Sequence, residues 1–154
     1  LRIGGNDLLA LLGLRRPRGM TLYRTPLGPV ISRLVTTFRP YGFMLTAPVF
    51  EYLDLPELLD QEVIEDLAHG MVGKTAIHPT QIAAIEQHFK VTPQDLAVAR
   101  AILDASSPAV FRMDDAMQEV ATHRAWAERT LEQSRLFGSR AELGHKPFLE
   151  GEPT

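Results

Sequence analysis

The 154-residue sequence contains no cysteine, which excludes disulfide stapling, thiolate nucleophiles, Cys-ligated zinc and iron–sulfur clusters. Any metal must be held by oxygen or imidazole. No apolar run approaches the roughly 18–20 residues needed to span a bilayer, and no charged-then-apolar leader precedes a small-residue cleavage site. A cytoplasmic setting without membrane contact is expected. An excess of positive charge is also missing: 16 Lys and Arg stand against 19 Asp and Glu, for a net charge of −3. With a pI of about 5.9, this argues against a nucleic-acid partner held by a broad basic face. The Walker loop, the dinucleotide fingerprint, HExxH and the GxSxG elbow are all absent, as are internal repeats and low-complexity segments. What is present is an ordinary globular balance, 45% hydrophobic and 23% charged, with enough length for a core.

Leu1 to Ile3 reads as the end of a buried strand running into a turn at Gly4 and Gly5, an expectation of the C-terminal part of something longer. A short helix through Leu8, Leu9, Leu11 and Leu12 stops at Gly13, with Asn6 or Asp7 as its cap. Residues 14–28 mix Arg15, Arg16, Arg18 and Arg24 with Pro and Gly and read as a long loop. Val30, Ile31, Leu34, Val35 and Phe38 recur at helical spacing until Pro40 and Gly42. The nearly continuous apolar run from Phe43 to Phe50 suits a strand buried on both faces, of the kind parallel sheets need. A helix follows from Pro56 to His69, with Leu58, Leu59, Val63, Ile64 and Leu67 as its stripe and Gly70 as its end. Met71 to Ile77 forms another strand, and His78-Pro79 opens a helix through Ile82, Ile85 and Phe89. This βαβαβα order implies parallel strands and an α/β class. Beyond Lys90 the spacing predicts a capped helix from Thr92 to Leu103 and a long one from Asp114 to Phe137, with no further strand. The chain thus divides into an α/β body over residues 1–90 and a helical extension over 91–154, whose tail at 151–154 has nothing to bury and is expected to be flexible.

Several side chains can carry chemistry, each with a plainer alternative. Asp7 emerges at the carboxyl edge of a strand, where parallel folds place their sites and where a hard divalent cation would accept it, or else it caps the helix. Arg15, Arg16 and Arg18 can clamp phosphate or carboxylate through guanidinium forks, or face solvent without a ligand. Lys74 and His78 bracket a strand whose far end borders the expected active face, as does Gln81. His78 can equally satisfy a turn and Lys74 a strand edge. Glu119 and His123 share a helix face at i,i+4, a spacing that also makes simple surface contacts.

Gly4-Gly5-Asn6-Asp7-Leu8, followed downstream by Gly73-Lys74-Thr75-Ala76-Ile77-His78-Pro79-Thr80-Gln81-Ile82, resembles the C-terminal half of the citrate lyase beta subunit and HpcH/HpaI aldolase superfamily. Leu14-Arg15-Arg16-Pro17-Arg18-Gly19 and Phe50-Glu51-Tyr52-Leu53-Asp54 are most similar to the branch of carbon–carbon bond lyase-like proteins found with tellurium-resistance and stress-response operons. The family fold is a (β/α)8 TIM barrel of about 250 residues, of which this chain would supply about the last three β/α units.

The resemblance implies a Mg2+-dependent lyase or aldolase that cleaves or forms a carbon–carbon bond next to a carboxylate through an enolate. Asp7 matches the second acidic ligand of the metal, the other being a Glu on an earlier strand that this chain lacks. Lys74, Ile77, His78 and Pro79 match a substrate-binding segment near the active-site mouth, close to CoA in members that use it. Met117-Gln118-Glu119 is the counterpart of a Met-x-Asp element whose Asp serves as acid/base, in several members within a neighbouring subunit's site. This implies Glu119 as a catalytic candidate and a homo-oligomer. Thr46-Ala47-Pro48-Val49-Phe50 departs from the Asp-containing strand end of citrate-lyase-like members. The departure leaves a CoA thioester and a phosphorylated substrate bound by Arg15, Arg16 and Arg18 both open. The alternative function is a catalytically silent relative that binds a phosphorylated metabolite in assembly or regulation. No catalysis is expected from these residues by themselves.

Overall fold

The computed structural model describes residues 1–141, so the tail at 151–154 lies outside the described residues. The chain forms two compact units, Leu1–Phe89 and Lys90 onward.

In the first unit three extended segments run side by side. Arg2 bridges Thr46 and Ala47 bridges Lys74, both in parallel sense. The bonds are Ile3 N–H to Thr46 O (3.1 Å), Thr46 N–H to Leu1 O (2.8 Å), Val72 N–H to Leu45 O (2.9 Å) and Ala47 N–H to Gly73 O (2.9 Å). These pairings are far shorter than the strands expected over 43–50 and 71–77. Pro48 has no N–H to donate and ends the ladder one residue after Ala47. Burial on both faces also fails at the start of the run, where Phe43 and Met44 are exposed while Leu45, Ala47 and Phe50 are buried.

The segments alternate with helices, as an α/β arrangement requires. These are α1 (Gly5–Leu11), α2 (Leu27–Phe38), α3 (Pro56–Ala68) and α4 (Ile82–Phe89), with short 3-10 turns at Leu22–Arg24, Arg39–Tyr41 and Pro79–Gln81. Ile3, Leu9, Leu22, Leu27, Ile31, Leu45, Ala47 and Met71 make one buried cluster, against which Leu34, Val35 and Phe38 of α2 pack. Burying each such side chain is worth about 1.5–3 kcal/mol. Helix α3 ends where Gly70 takes φ 76°, a left-handed conformation that costs glycine nothing.

The face that α3 buries differs from the expected stripe. Leu59, Glu62, Val63 and Asp66 are buried, whereas Ile64 is exposed. Two carboxylates therefore occupy core-facing positions, which a hydrophobicity pattern assigns to solvent.

In the second unit α5 (Pro93–Leu103) starts as expected. Thr92 Oγ1 accepts from the Asp95 N–H at 3.0 Å and donates to the Asp95 carboxylate at 2.6 Å, a reciprocal cap. The expected helix from Asp114 is corrected. Val110–Met113 (β1) pairs antiparallel with Ala116–Glu119 (β2), and only then does α6 run from Val120 to Phe137. Asp114 and Asp115, at φ 55° and 53°, form the two-residue turn. Positive φ at both central positions gives the twist that a tight hairpin needs, and Asp tolerates it better than most residues. The hairpin places Phe111 and Met113 against a core of Val98, Ala99, Ile102 and Ala127.

Candidate functional site

Helix α1 starts immediately beyond the first extended segment, and its N-cap is Gly4, with no side-chain capping bond. Neither Asn6 nor Asp7 takes the N-cap position, and Asp7 stands in the first turn. It folds back over Gly4, with Oδ2 only 2.6 Å from where a Cβ on Gly4 would stand. A Cβ on Gly5 would meet Pro48 Cβ at 2.8 Å and Leu22 Cδ1 at 3.1 Å. The glycine pair thus lets the helix start sit directly on the end of the second segment. Asp7 is exposed and stands with Leu8, Leu34, Phe38 and Leu45 around a mostly apolar cavity of about 430 Å3.

The three arginines do not make one clamp. In non-helical chain successive side chains point to different sides, and here Arg15 and Arg18 face outward while Arg16 turns in. Arg18 pairs with Asp54 and lies over the Tyr52 ring at 4.6 Å. The Arg16 side chain is only 1% exposed and pairs with Glu51 and Glu62. It donates to the Val49 carbonyl at 2.7 Å and lies 5.0 Å from the centre of the Phe50 ring. Its own carbonyl accepts from Tyr52 Oη at 2.5 Å.

Lys74 is likewise internal. Its ammonium sits 2.9 Å from both Glu62 Oε1 and Asp66 Oδ2, with side chains that are 0–1% exposed. Glu62 Oε2 also accepts the Leu22 N–H at 2.9 Å, and Asp66 Oδ1 accepts Tyr23 Oη at 2.6 Å. Arg16 and Lys74 therefore face a buried ionic network rather than solvent, one that joins the loop after α1, the chain beyond the second segment, α3 and the third segment.

Burial pushes the Glu62 carboxyl up, but Lys74, Arg16 and the Leu22 amide outweigh it and hold the group below the usual glutamate range. Asp66 moves the other way: burial, with Glu62 beside it, leaves it raised despite Lys74 and Tyr23. Burial and the Asp66 charge also keep the Tyr23 phenol protonated. A carboxyl whose folded pKa is lowered stabilises the fold above its unfolded pKa, and that stability is lost as pH falls through the folded value. Glu62→Gln is accordingly expected to cost about 1–3 kcal/mol near neutral pH. The gap to wild type should close on acidification through the lowered Glu62 value, as read by urea melts across pH.

At the rim, Ile77, His78 and Pro79 are all exposed. His78 Nδ1 contacts Thr80 Oγ1 at 2.9 Å and accepts the Thr80 N–H at 3.3 Å, the turn-capping alternative. Gln81 is buried and staples two segment ends together: Oε1 accepts the Ile77 N–H at 3.0 Å, and Nε2 donates to Phe50 O at 2.7 Å.

Glu119 lies in the second unit, as the N-cap residue of α6. Its carboxylate accepts from Thr122 Oγ1 at 3.1 Å, while His123 Nδ1 accepts its backbone N–H at 3.3 Å. The expected side-chain pair with His123 is thus a backbone cap instead.

Sequence reading missed Glu51, Glu62, Asp66 and Tyr23. Their one trace in the sequence is the 59, 62, 63, 66 spacing, a helical stripe with two acids in it, which reads as core-facing only once Arg16 and Lys74 are seen to be buried.

Among the described residues no group of three His, Cys, Asp or Glu could enclose a metal. Magnesium keeps several waters and takes one or two carboxylates. An exposed carboxylate free of capping duty, such as Asp7, fits one ligand of a shared site.

Residues 1–139 match the family described as C-C bond lyase of the TIM-barrel fold, and the chain belongs to that family. It is 31% identical over 110 residues to a citrate lyase subunit beta-like protein of Deinococcus radiodurans, an alignment covering 71% of this chain and 37% of that protein. Among solved structures it is similar to the protein CitE of Mycobacterium tuberculosis in complex with magnesium, acetoacetate and coenzyme A. That match has 27% identity and a TM-score of 0.66, over 87% of this chain and 51% of the other. A citrate lyase from Burkholderia xenovorans LB400 matches in fold, with 19% identity and a TM-score of 0.68, over 93% of this chain and 47% of that one. The chain therefore spans about half the length of these solved relatives or less. Among the described residues no helix is long and apolar enough to cross a membrane.

Proposed function

We propose that this chain forms part of a Mg2+-dependent lyase or aldolase acting on a carbon–carbon bond beside a carboxylate. The observation that carries this reading is Asp7. A Gly-Gly turn seats its helix against Pro48, and its carboxylate, released from capping, stands at the carboxyl end of a parallel segment. That is where α/β lyases of this family would hold a metal.

In this reading the extended segments and α1 to α4 are the last β/α units of a barrel, and the residues beyond Lys90 are its extension. Asp7 supplies one oxygen ligand, and the remaining acidic ligand comes from outside this chain. Magnesium, when bound, would supply Lewis-acid stabilisation of negative charge. The exposed guanidiniums of Arg15 and Arg18 attract the anionic part of the substrate, a CoA thioester or a phosphorylated acid. Ile77, His78 and Pro79 form the rim it passes. Arg16 and Lys74, buried among carboxylates, support the site from beneath. Glu119 carries an exposed carboxylate at a helix start and would hold or move a proton, reaching a site in a homo-oligomer.

Magnesium, acetoacetate and coenzyme A in the CitE structure support the choice of metal and substrate class. The test is turnover by the full-length protein on β-hydroxy and β-keto acids as free acids, CoA thioesters and phosphorylated forms. Chelation should abolish cleavage and added Mg2+ restore it. Cleavage indifferent to chelator contradicts the proposal. Metal binding without turnover on any of these favours the silent, ligand-binding alternative.

A further inference from the structure

The buried network and the exposed carboxylate are connected by two short mechanical links. The first runs from Arg16 through the Val49 carbonyl, which accepts its guanidinium at 2.7 Å, to the adjoining Pro48. The second runs from Glu62, which holds the Leu22 N–H at 2.9 Å, to the Leu22 side chain. Pro48 and Leu22 are the two side chains against which Gly5 is seated, with a hypothetical Cβ at 2.8 Å and 3.1 Å from them. Arg16 and Glu62 are themselves paired. Both walls of the seat are thus anchored to one fully buried ion pair, and Gly5 is the first residue of the helix that carries Asp7.

We propose that Arg16 and Glu62 are positioning residues for Asp7: through Pro48 and Leu22 they fix the seat of α1 and so fix where its carboxylate stands. The inference rests on the reading of Asp7 as a metal ligand. A guanidinium suits the task because its planar fork engages Glu51, Glu62 and a carbonyl at once, which a lysine ammonium on a flexible stem does not do with the same geometry. Supporting groups of this kind orient a metal ligand without touching the metal, and their loss typically costs roughly 10- to 100-fold in affinity.

The experiment compares full-length wild type, Arg16→Met, Gly5→Ala and Ile85→Ala by Mn2+ titration followed by EPR and by amide exchange within α1. Arg16→Met removes the anchor; Gly5→Ala leaves the network intact and spoils the seat. Ile85→Ala is a control that empties buried space in α4 without touching either link. The expected result is Mn2+ affinity lowered roughly 10- to 100-fold in the first two variants, with faster exchange across α1. Ile85→Ala should leave both readouts as in wild type. The proposal is overturned if Arg16→Met and Gly5→Ala bind Mn2+ as wild type does, or if Ile85→Ala weakens binding equally. Failure of wild type to bind Mn2+ overturns the metal reading of Asp7 instead. The exchange of α1 in Arg16→Met against Ile85→Ala then decides the positioning by itself.

Discussion

Lys74→Met is expected to lower stability by about 3–5 kcal/mol, the cost of removing one partner from a buried ion pair. Its ammonium is the shared counter-ion of Glu62 and Asp66, 2.9 Å from each, with all three side chains out of solvent. Without it Glu62 still has Arg16 and the Leu22 amide. Among the described residues Asp66 then keeps Tyr23, whose phenol donates to Oδ1 at 2.6 Å. The Asp66 carboxyl is already raised by burial, so protonation is the response that limits the damage. Asp66→Asn added to Lys74→Met should therefore recover part of the loss, because it removes the carboxylate left with least compensation. Urea denaturation of the single and double variants measures both numbers. A loss under about 1 kcal/mol for Lys74→Met is what a solvent-exposed pair gives and would contradict a buried network.

The helices of the first unit were legible because their apolar spacing, prolines and glycines act locally: α3 opens at Pro56 and closes at Gly70. The rotation of α3 was not legible. Glu62 and Asp66 look like solvent residues until Lys74 and Arg16, distant in sequence, turn out to face them. The β1–β2 hairpin was hidden for a different reason. Asp114-Asp115 before an apolar pattern has the composition of a helix start, and only positive φ at both positions distinguishes a turn. Of the proposed site, Asp7 and Ile77-His78-Pro79 were singled out by motif and position, and all four are exposed in the structure. The division of Arg15, Arg16 and Arg18 between surface and interior could not be read in this way, since it depends on which carboxylates the fold brings to the loop.

Asp7→Asn is the second large effect. The change keeps size and shape at the start of α1 and removes the charge a divalent cation needs, while no capping bond is lost. Lewis-acid stabilisation of developing charge is worth several kcal/mol, so the loss of turnover should be about 100-fold or more. Stability should change little, since the carboxylate is exposed and its interaction with the helix dipole is worth only about 0.3–1 kcal/mol.

The most direct measurement of the account is the Mg2+ dependence of carbon–carbon bond cleavage by the full-length protein, wild type beside Asp7→Asn, at matched stability. Wild type should show saturable activation by Mg2+, and Asp7→Asn should show little activity at any Mg2+ concentration. Equal activation curves for the two proteins would contradict the assignment of Asp7 as the metal-holding carboxylate of this chain.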